Sequence, residues 1–155
     1  MEKIASFTIN HLDLLPGIYV SRKDKAGEAV LTTFDLRMTK PNREPVMNTA
    51  ELHTIEHLGA TYLRNHPDWA DRIIYFGPMG CRTGFYFLVS GLSEQDAIRL
   101  TQDAFRFIAA YEGAIPGVSA VECGNYLEHD LDGAKKIAAH MNEVLRDWTP
   151  DQLAY

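Results

Sequence analysis

The stretch His53-Thr54-Ile55-Glu56-His57 is an H-x-x-E-H pattern inside a segment of helical periodicity. A helix turns roughly 100° per residue, so with His53 at 0°, Glu56 falls near 300° and His57 near 40°. The three share one side, while Leu52, Ile55, Leu58, Tyr62 and Leu63 occupy another. Two imidazoles four residues apart stack on the same side and can clamp one cation, with Glu56 beside it as a general base. A solvated helix face fits the same pattern, and two ligands hold no ion stably, so a third ligand must decide. The chain has two cysteines, Cys81 and Cys123. Cys123 is expected to follow a short extended piece, Val118 to Glu122, and to enter a glycine turn at Gly124. Cys81 lies in a Gly/Pro-bounded loop beside Arg82, the kind of segment on which functional groups concentrate. A nearby cation lowers a thiol below its free pKa of about 8.5. Packing explains either cysteine taken alone. Beside the two histidines, one becomes a candidate ligand and the other a candidate thiolate.

The elements that must position these groups are legible. Ile18 to Arg22 and Val30 to Met38 read as strands joined through Asp24-Lys25-Ala26-Gly27, a hairpin. Arg72 to Phe76 and Phe85 to Ser90 form a second pair around the Cys81 loop. A first helix is expected over Thr49 to Asn65, with Asn48 as N-cap, Glu51 three residues on, and Pro67 beyond its end. A second begins at Ser93 with Asp96 in capping-box spacing, and carries Ala97, Ile98, Thr101, Ala104, Phe105, Ile108 and Tyr111 on one face until Gly113. A third spans Asp132 to Trp148. Short strands interleaved with amphipathic helices imply an α+β fold, an antiparallel or mixed sheet with helices on one face in a two-layer sandwich.

Residues 1–155 read as one domain, without repeats or a linker. Fifteen Lys plus Arg against 21 Asp plus Glu give a net charge of −6, which repels a phosphate backbone and argues against nucleic-acid binding. No apolar run approaches the roughly 20 residues that span a bilayer. The N-terminal Met1-Glu2-Lys3-Ile4-Ala5 lacks the apolar core of a signal peptide, so a cytoplasmic location is expected. In that reducing compartment a single disulfide is disfavoured.

Several segments together resemble the S-ribosylhomocysteine lyase (LuxS) family over nearly the full length. They are Ser6-Phe7 with His11, Asp35-Leu36-Arg37 followed by Pro41-Asn42-Arg43, and Leu52 to Leu58. The blocks Gly77-Pro78-Met79-Gly80-Cys81-Arg82-Thr83-Gly84-Phe85-Tyr86 and Glu122-Cys123-Gly124-Asn125-Tyr126 complete the set. The resemblance implies that His53, His57 and Cys123 hold a divalent metal, Fe²⁺ in that family, with Zn²⁺ or Co²⁺ able to replace it. It implies Cys81 and Glu56 as the acid/base pair. Ser6, Phe7, His11, Arg37 and Gly124 are implied to line the homocysteine end of the pocket, some from the second subunit of a homodimer. Tyr75 departs from the pattern, because many members carry an aspartate six residues before the loop cysteine.

The implied reaction cleaves a C–S bond after the substrate carbonyl migrates along an opened ribose chain, yielding homocysteine and 4,5-dihydroxy-2,3-pentanedione, the autoinducer-2 precursor. Two other readings stay open on the residues alone. H-x-x-E-H is also the motif of inverted zincin peptidases, which leaves the Cys81 loop unexplained. A structural zinc site is the other, closed by four protein ligands including Cys81.

Overall fold

Alternation along the strands divides the molecule into a helix-covered layer and an outer sheet face. The computed structural model describes all residues, Met1–Tyr155. Four strands, β1 (Gly17–Ala26), β2 (Ala29–Arg37), β3 (Ile73–Pro78) and β4 (Gly84–Ser90), form one sheet in the order β1-β2-β4-β3, antiparallel throughout. Three helices, α1 (Thr49–Arg64), α2 (Glu94–Ala109) and α3 (Leu131–Val144), complete the chain with short 3₁₀ turns. The expected α+β sandwich is present, with no parallel pair in its sheet.

In β2 and β4 the period of two sends Phe34, Leu36, Phe85, Phe87 and Val89 to the helices. There they join Ile55, Leu58, Ile98, Phe105, Ala134 and Met141 in a continuous buried cluster. The alternate residues, Thr33, Asp35 and Arg37 opposite Leu88, Tyr86 and Gly84, face the other way. Bulges between Val20 and Arg22 and between Ile73 and Tyr75 shift the register of the two edge strands.

α1 begins where its cap requires. The Asn48 side chain accepts the Glu51 N–H, and the Glu51 carboxylate accepts the Asn48 N–H. Its buried stripe, Leu52, Ile55, Leu58 and Leu63, lies on the core and turns His53, Glu56 and His57 away from it. Gly59 permits the close approach, since a Cβ there would collide with the Phe76 ring.

Some boundaries differ from expectation. The β1–β2 hairpin runs on to Ala26 opposite Ala29, leaving a two-residue Gly27-Glu28 turn, because Asp24 and Lys25 keep pairing with Leu31 and Val30. α3 stops at Val144, although Leu145 is buried and Trp148 packs against the core beyond it. The extended piece expected over Val118 to Glu122 is instead a turn. Both the Glu122 and Cys123 N–H groups donate to the Ser119 carbonyl (3.0 Å each), which curls the chain.

Candidate metal centre and thiol cavity

The turn after Ser119 brings Cys123 to α1. Its Sγ lies 3.4 Å from His53 Nε2 and 3.7 Å from His57 Nε2, and the two Nε2 atoms are 3.0 Å apart. The other ring nitrogens identify what these contacts are. His53 Nδ1 is 2.8 Å from the Glu128 carbonyl and His57 Nδ1 is 2.8 Å from the Pro116 carbonyl. A carbonyl only accepts, so both Nδ1 atoms carry a proton, and in the neutral rings both Nε2 atoms are then lone pairs. Two such lone pairs 3.0 Å apart repel unless a shared proton or a metal ion lies between them. A tetrahedral ion with ordinary bond lengths separates two nitrogens by about 3.4 Å and a nitrogen from a sulfur by about 3.6 Å. The observed triangle fits. Carbonyl partners of this kind are the outer support that orients ligating histidines and fixes their tautomer in metal sites.

The loop carrying Pro116 is shaped for this. Gly117 has φ +75°, and a Cβ there would press on His57 Nδ1 at 3.3 Å, so a side chain would disturb the contact that holds His57. Glu128 is held by the Thr49 hydroxyl and by Asn125 Nδ2 (2.5 Å). These bonds, Thr49 first, hold its carboxyl below the usual carboxylate range. Glu56 opens with His53, Thr49, Leu52, Asn125 and Glu128 into a shallow cavity of about 230 Å³.

Cys81 sits elsewhere. It lines a cavity of about 500 Å³ over the outer sheet face, with Ser6, Phe7, His11, Arg37 and Tyr86 among the walls. Its loop is pinned at both ends: Met79 N–H donates to Gly84 O, Arg82 N–H to Met79 O, and Met47 N–H to Arg82 O. Arg82 takes φ +60° to make the turn. Cys81 Sγ lies 3.1 Å from Thr83 Oγ1, which accepts from Arg37 Nη1 at 2.7 Å. Arg37 is buried, and it donates Nε and Nη2 to the two oxygens of buried Asp35 (3.1 and 2.5 Å). Burial opposes the guanidinium charge, but the bond and charge of Asp35 outweigh it and raise Arg37 above its ordinary pKa. Tyr155 donates its hydroxyl to Asp35 Oδ2 at 2.7 Å. Burial, then the Asp35 charge, raises that phenol well above its normal range, so it stays a donor.

The sequence model of S-ribosylhomocysteinase (LuxS) matches residues 4–152. The chain belongs to the LuxS family. Relatives named S-ribosylhomocysteine lyase include those of Clostridium beijerinckii, 59% identical, and Phocaeicola vulgatus, 56% identical. That of Borreliella afzelii is 50% identical. The alignments cover 100% of this chain and 98–99% of each relative.

Within one chain the structure brings the expected residues of this LuxS-family member together in two groups. His53, His57 and Cys123 meet, with Glu56 beside them; Ser6, Phe7, His11 and Arg37 meet around Cys81. The two cavities share no residue, so Cys81 and Glu56 do not face one another inside one protomer. Gly124 lines neither. Tyr75 also stays out of the Cys81 cavity. It lines an adjoining one with Ile4, Arg22 and Leu88, its hydroxyl folded back over Gly77.

Sequence reasoning missed His129, whose ligand atom joins those of His53, His57 and Cys123 within 4.8 Å of one another. Its ring stacks on His53 at 4.1 Å. Burial first, then the two neighbouring imidazoles, push its pKa below the ordinary histidine value. The only signal in the sequence is a histidine six residues after Cys123. Asp35 and Thr83 were also missed as working residues, because a strand position and a loop threonine carry no spacing signature.

Proposed function

We propose that the chain is an S-ribosylhomocysteine lyase that releases homocysteine and 4,5-dihydroxy-2,3-pentanedione, the autoinducer-2 precursor, at a site shared by two copies of the chain. The observation that carries the reading is the convergence of two Nε2 lone pairs and one sulfur with both Nδ1 protons committed to carbonyls. Fe²⁺ is the ion we assign, with Zn²⁺ or Co²⁺ able to serve, since an N₂S donor set accommodates all three. When bound, a divalent cation supplies Lewis acidity toward the carbonyl and hydroxyl oxygens of the sugar chain.

The chain's own residues then divide the proton work. Cys81, as thiolate, takes a proton from the carbon beside the substrate carbonyl and returns it to the neighbouring carbon. Repetition carries the carbonyl from C1 to C3. Its sulfur lies two hydrogen bonds from the buried Arg37 guanidinium, a positive setting suited to an anion. Glu56 shuttles hydroxyl protons and finally abstracts the C4 proton, after which the C–S bond breaks and the electron pair leaves with homocysteine. Oxidation at one sugar carbon is balanced by reduction at another, so no redox cofactor is needed. Ser6, Phe7 and His11 line the Cys81 cavity and serve the homocysteine end. Arg37, with Nε and Nη2 occupied by Asp35, positions Thr83 and Cys81 rather than clasping a carboxylate.

A two-fold homodimer accounts for the separation of the two cavities, by setting the thiol cavity of one protomer against the ion ligands of its partner. Apolar side chains left in water support it: Phe7 is 67% exposed near the thiol cavity, and Val121 and Leu127 are 97% and 80% exposed beside Cys123. A soluble cytoplasmic setting suits this chemistry, and no helix is long and apolar enough to cross a membrane.

The deciding experiment is anaerobic purification, metal analysis and a homocysteine-release assay on one sample. About one ion per chain and turnover of S-ribosylhomocysteine are expected, with Cys81→Ala keeping the ion but losing turnover and Cys123→Ala losing both. Absence of turnover in the metal-loaded parent, or an unchanged metal content in Cys123→Ala, would overturn the assignment.

A further inference from the structure

Tyr155 reaches the buried network beside Cys81 from a distant part of the chain. β1 lies at one edge of the sheet, and the segment after α3 runs along it. There the Val20 N–H donates to the Leu153 carbonyl (2.8 Å), and Trp148 Nε1 donates to the Ile18 carbonyl (3.1 Å). The Tyr155 ring follows, stacked on Tyr19 with centroids 5.1 Å apart and planes 17° from parallel. The residue is nearly half exposed and lines the Cys81 cavity, yet its hydroxyl reaches Asp35, which is 1% exposed. A phenylalanine would stack as well, so the hydroxyl asks for its own account.

The hydrogen bonds on the Cys81 side all run toward the sulfur. Arg37 Nη1 donates to Thr83 Oγ1 (2.7 Å), and Thr83 Oγ1 lies 3.1 Å from Cys81 Sγ. A thiolate only accepts, so in the anionic form the single Thr83 proton points at the sulfur. On its other side Arg37 gives Nε and Nη2 to Asp35 (3.1 and 2.5 Å). Asp35 therefore competes with Thr83 for one guanidinium, and its charge opposes an anion at Cys81. The Tyr155 hydroxyl donates to Asp35 Oδ2 (2.7 Å), the same oxygen that takes Nη2. It takes up part of the carboxylate charge and leaves more of the guanidinium to Thr83 and the sulfur. The ionisable groups around the cavity are Arg37, Asp35, His11, Glu44, Tyr86 and Tyr155. Of these, Arg37 and Tyr155 are the hydrogen-bond partners of the Asp35 side chain.

We infer that Tyr155 is a positioning residue for Cys81: acting through Asp35, Arg37 and Thr83, its hydroxyl holds the Thr83 proton on the sulfur and favours the thiolate. The assignment rests on the lyase reading and deepens it at the base that moves the carbonyl, without placing Tyr155 on the substrate.

The test uses Co²⁺-loaded parent and Tyr155→Phe, which keeps a ring against Tyr19 and removes the hydroxyl. Iodoacetamide labels the thiols between about pH 6 and about pH 10, and peptide mass spectrometry reads Cys81 separately from Cys123. The thiolate is the species alkylated, so the rate follows the anion. Tyr155→Phe should label Cys81 about three- to tenfold more slowly than the parent near pH 6, and at the same rate near pH 10. Adding Tyr155→Phe to Thr83→Val should bring no further slowing, because the chain of bonds is already cut. KM for S-ribosylhomocysteine should stay within about twofold of the parent while kcat falls with the thiolate. A labelling profile identical to the parent's would overturn the inference and leave Tyr155 a structural residue. A second slowing of equal size in Thr83→Val would do the same. So would a rise in KM of about tenfold with an unmoved profile, which would make Tyr155 a substrate contact. A loaded parent that labels as expected yet releases no homocysteine would instead sink the lyase reading, and the link from Tyr155 to the sulfur would stand.

Discussion

The proposed sharing of a site between two chains predicts a specific result when two inactive chains are mixed. Cys81 and the Cys123 cluster open into cavities with no common residue. In a two-fold dimer each complete site would take residue 81 from one protomer and residue 123 from its partner. The perturbation is a pair of variants, Cys81→Ala and Cys123→Ala. Each homodimer loses one component from both of its sites, and loss of a positioned proton-transfer group alone is expected to lower the rate about 10²- to 10⁴-fold. In the mixed dimer one site lacks both cysteines. The other joins an intact Cys81 from the Cys123→Ala chain to an intact Cys123 from the Cys81→Ala chain. Random reassortment makes about half of all dimers mixed, and each has one whole site of two, so about a quarter of parental activity should return. The assay is homocysteine release after co-refolding equal amounts of the two chains with Co²⁺, native mass spectrometry reporting the fraction of mixed dimers. Mixed dimers that form and remain inactive would show that no site spans the two chains, and the reasoning from separated cavities would fail.

Other expectations follow from the buried network, the loop and the ion ligands. Asp35→Ala leaves the Arg37 guanidinium buried with Thr83 as its remaining hydrogen-bond partner, and should cost about 3–5 kcal/mol in urea denaturation at fixed protomer concentration. Adding Arg37→Leu should recover most of that loss, and a double variant no more stable than Asp35→Ala would refute the unpaired-charge account. Gly117→Ala sets a Cβ against His57 Nδ1 at a backbone angle that suits glycine, so ion affinity should drop about 10- to 100-fold by chelator competition. An ion present at a hundred times its dissociation constant adds about 2.7 kcal/mol, so chelation should lower the parent Tm by about 5–10 °C. Scanning calorimetry of Cys123→Ala should show no such chelator response.

The elements were largely legible because their signals are local. Asn48 and Glu51 sit at the spacing at which a side chain and a backbone amide can serve one another, and α1 begins between them, at Thr49. The β-branched and aromatic runs of β2 and β4 alternate, and the sheet buries one set against the helices. Segments 118 to 122 misled because valine and alanine there suggested extension, whereas Ser119 accepts two backbone N–H bonds and closes a turn. His129 was invisible for a related reason. It becomes a neighbour of His53 only because Thr54, one residue along α1, bonds both the His129 ring and the Asp130 amide.

The chain by itself determined which groups can do chemistry: an imidazole pair one helical turn apart, a carboxylate on the same side, and two thiols in family-specific blocks. Helical spacing and residue type are properties of the local chain, and they survive any choice of tertiary arrangement. Tertiary structure alone decided that Cys123 reaches the imidazoles, that His129 joins them, and that Cys81 opens with Arg37 and Asp35 on the far face of the sheet. Those outcomes turn on contacts between residues far apart in sequence, such as His57 with Cys123, His53 with Glu128 and Arg37 with Thr83. Such contacts are set by how the layers pack and where the loops close, and neither is written in any short stretch of residues.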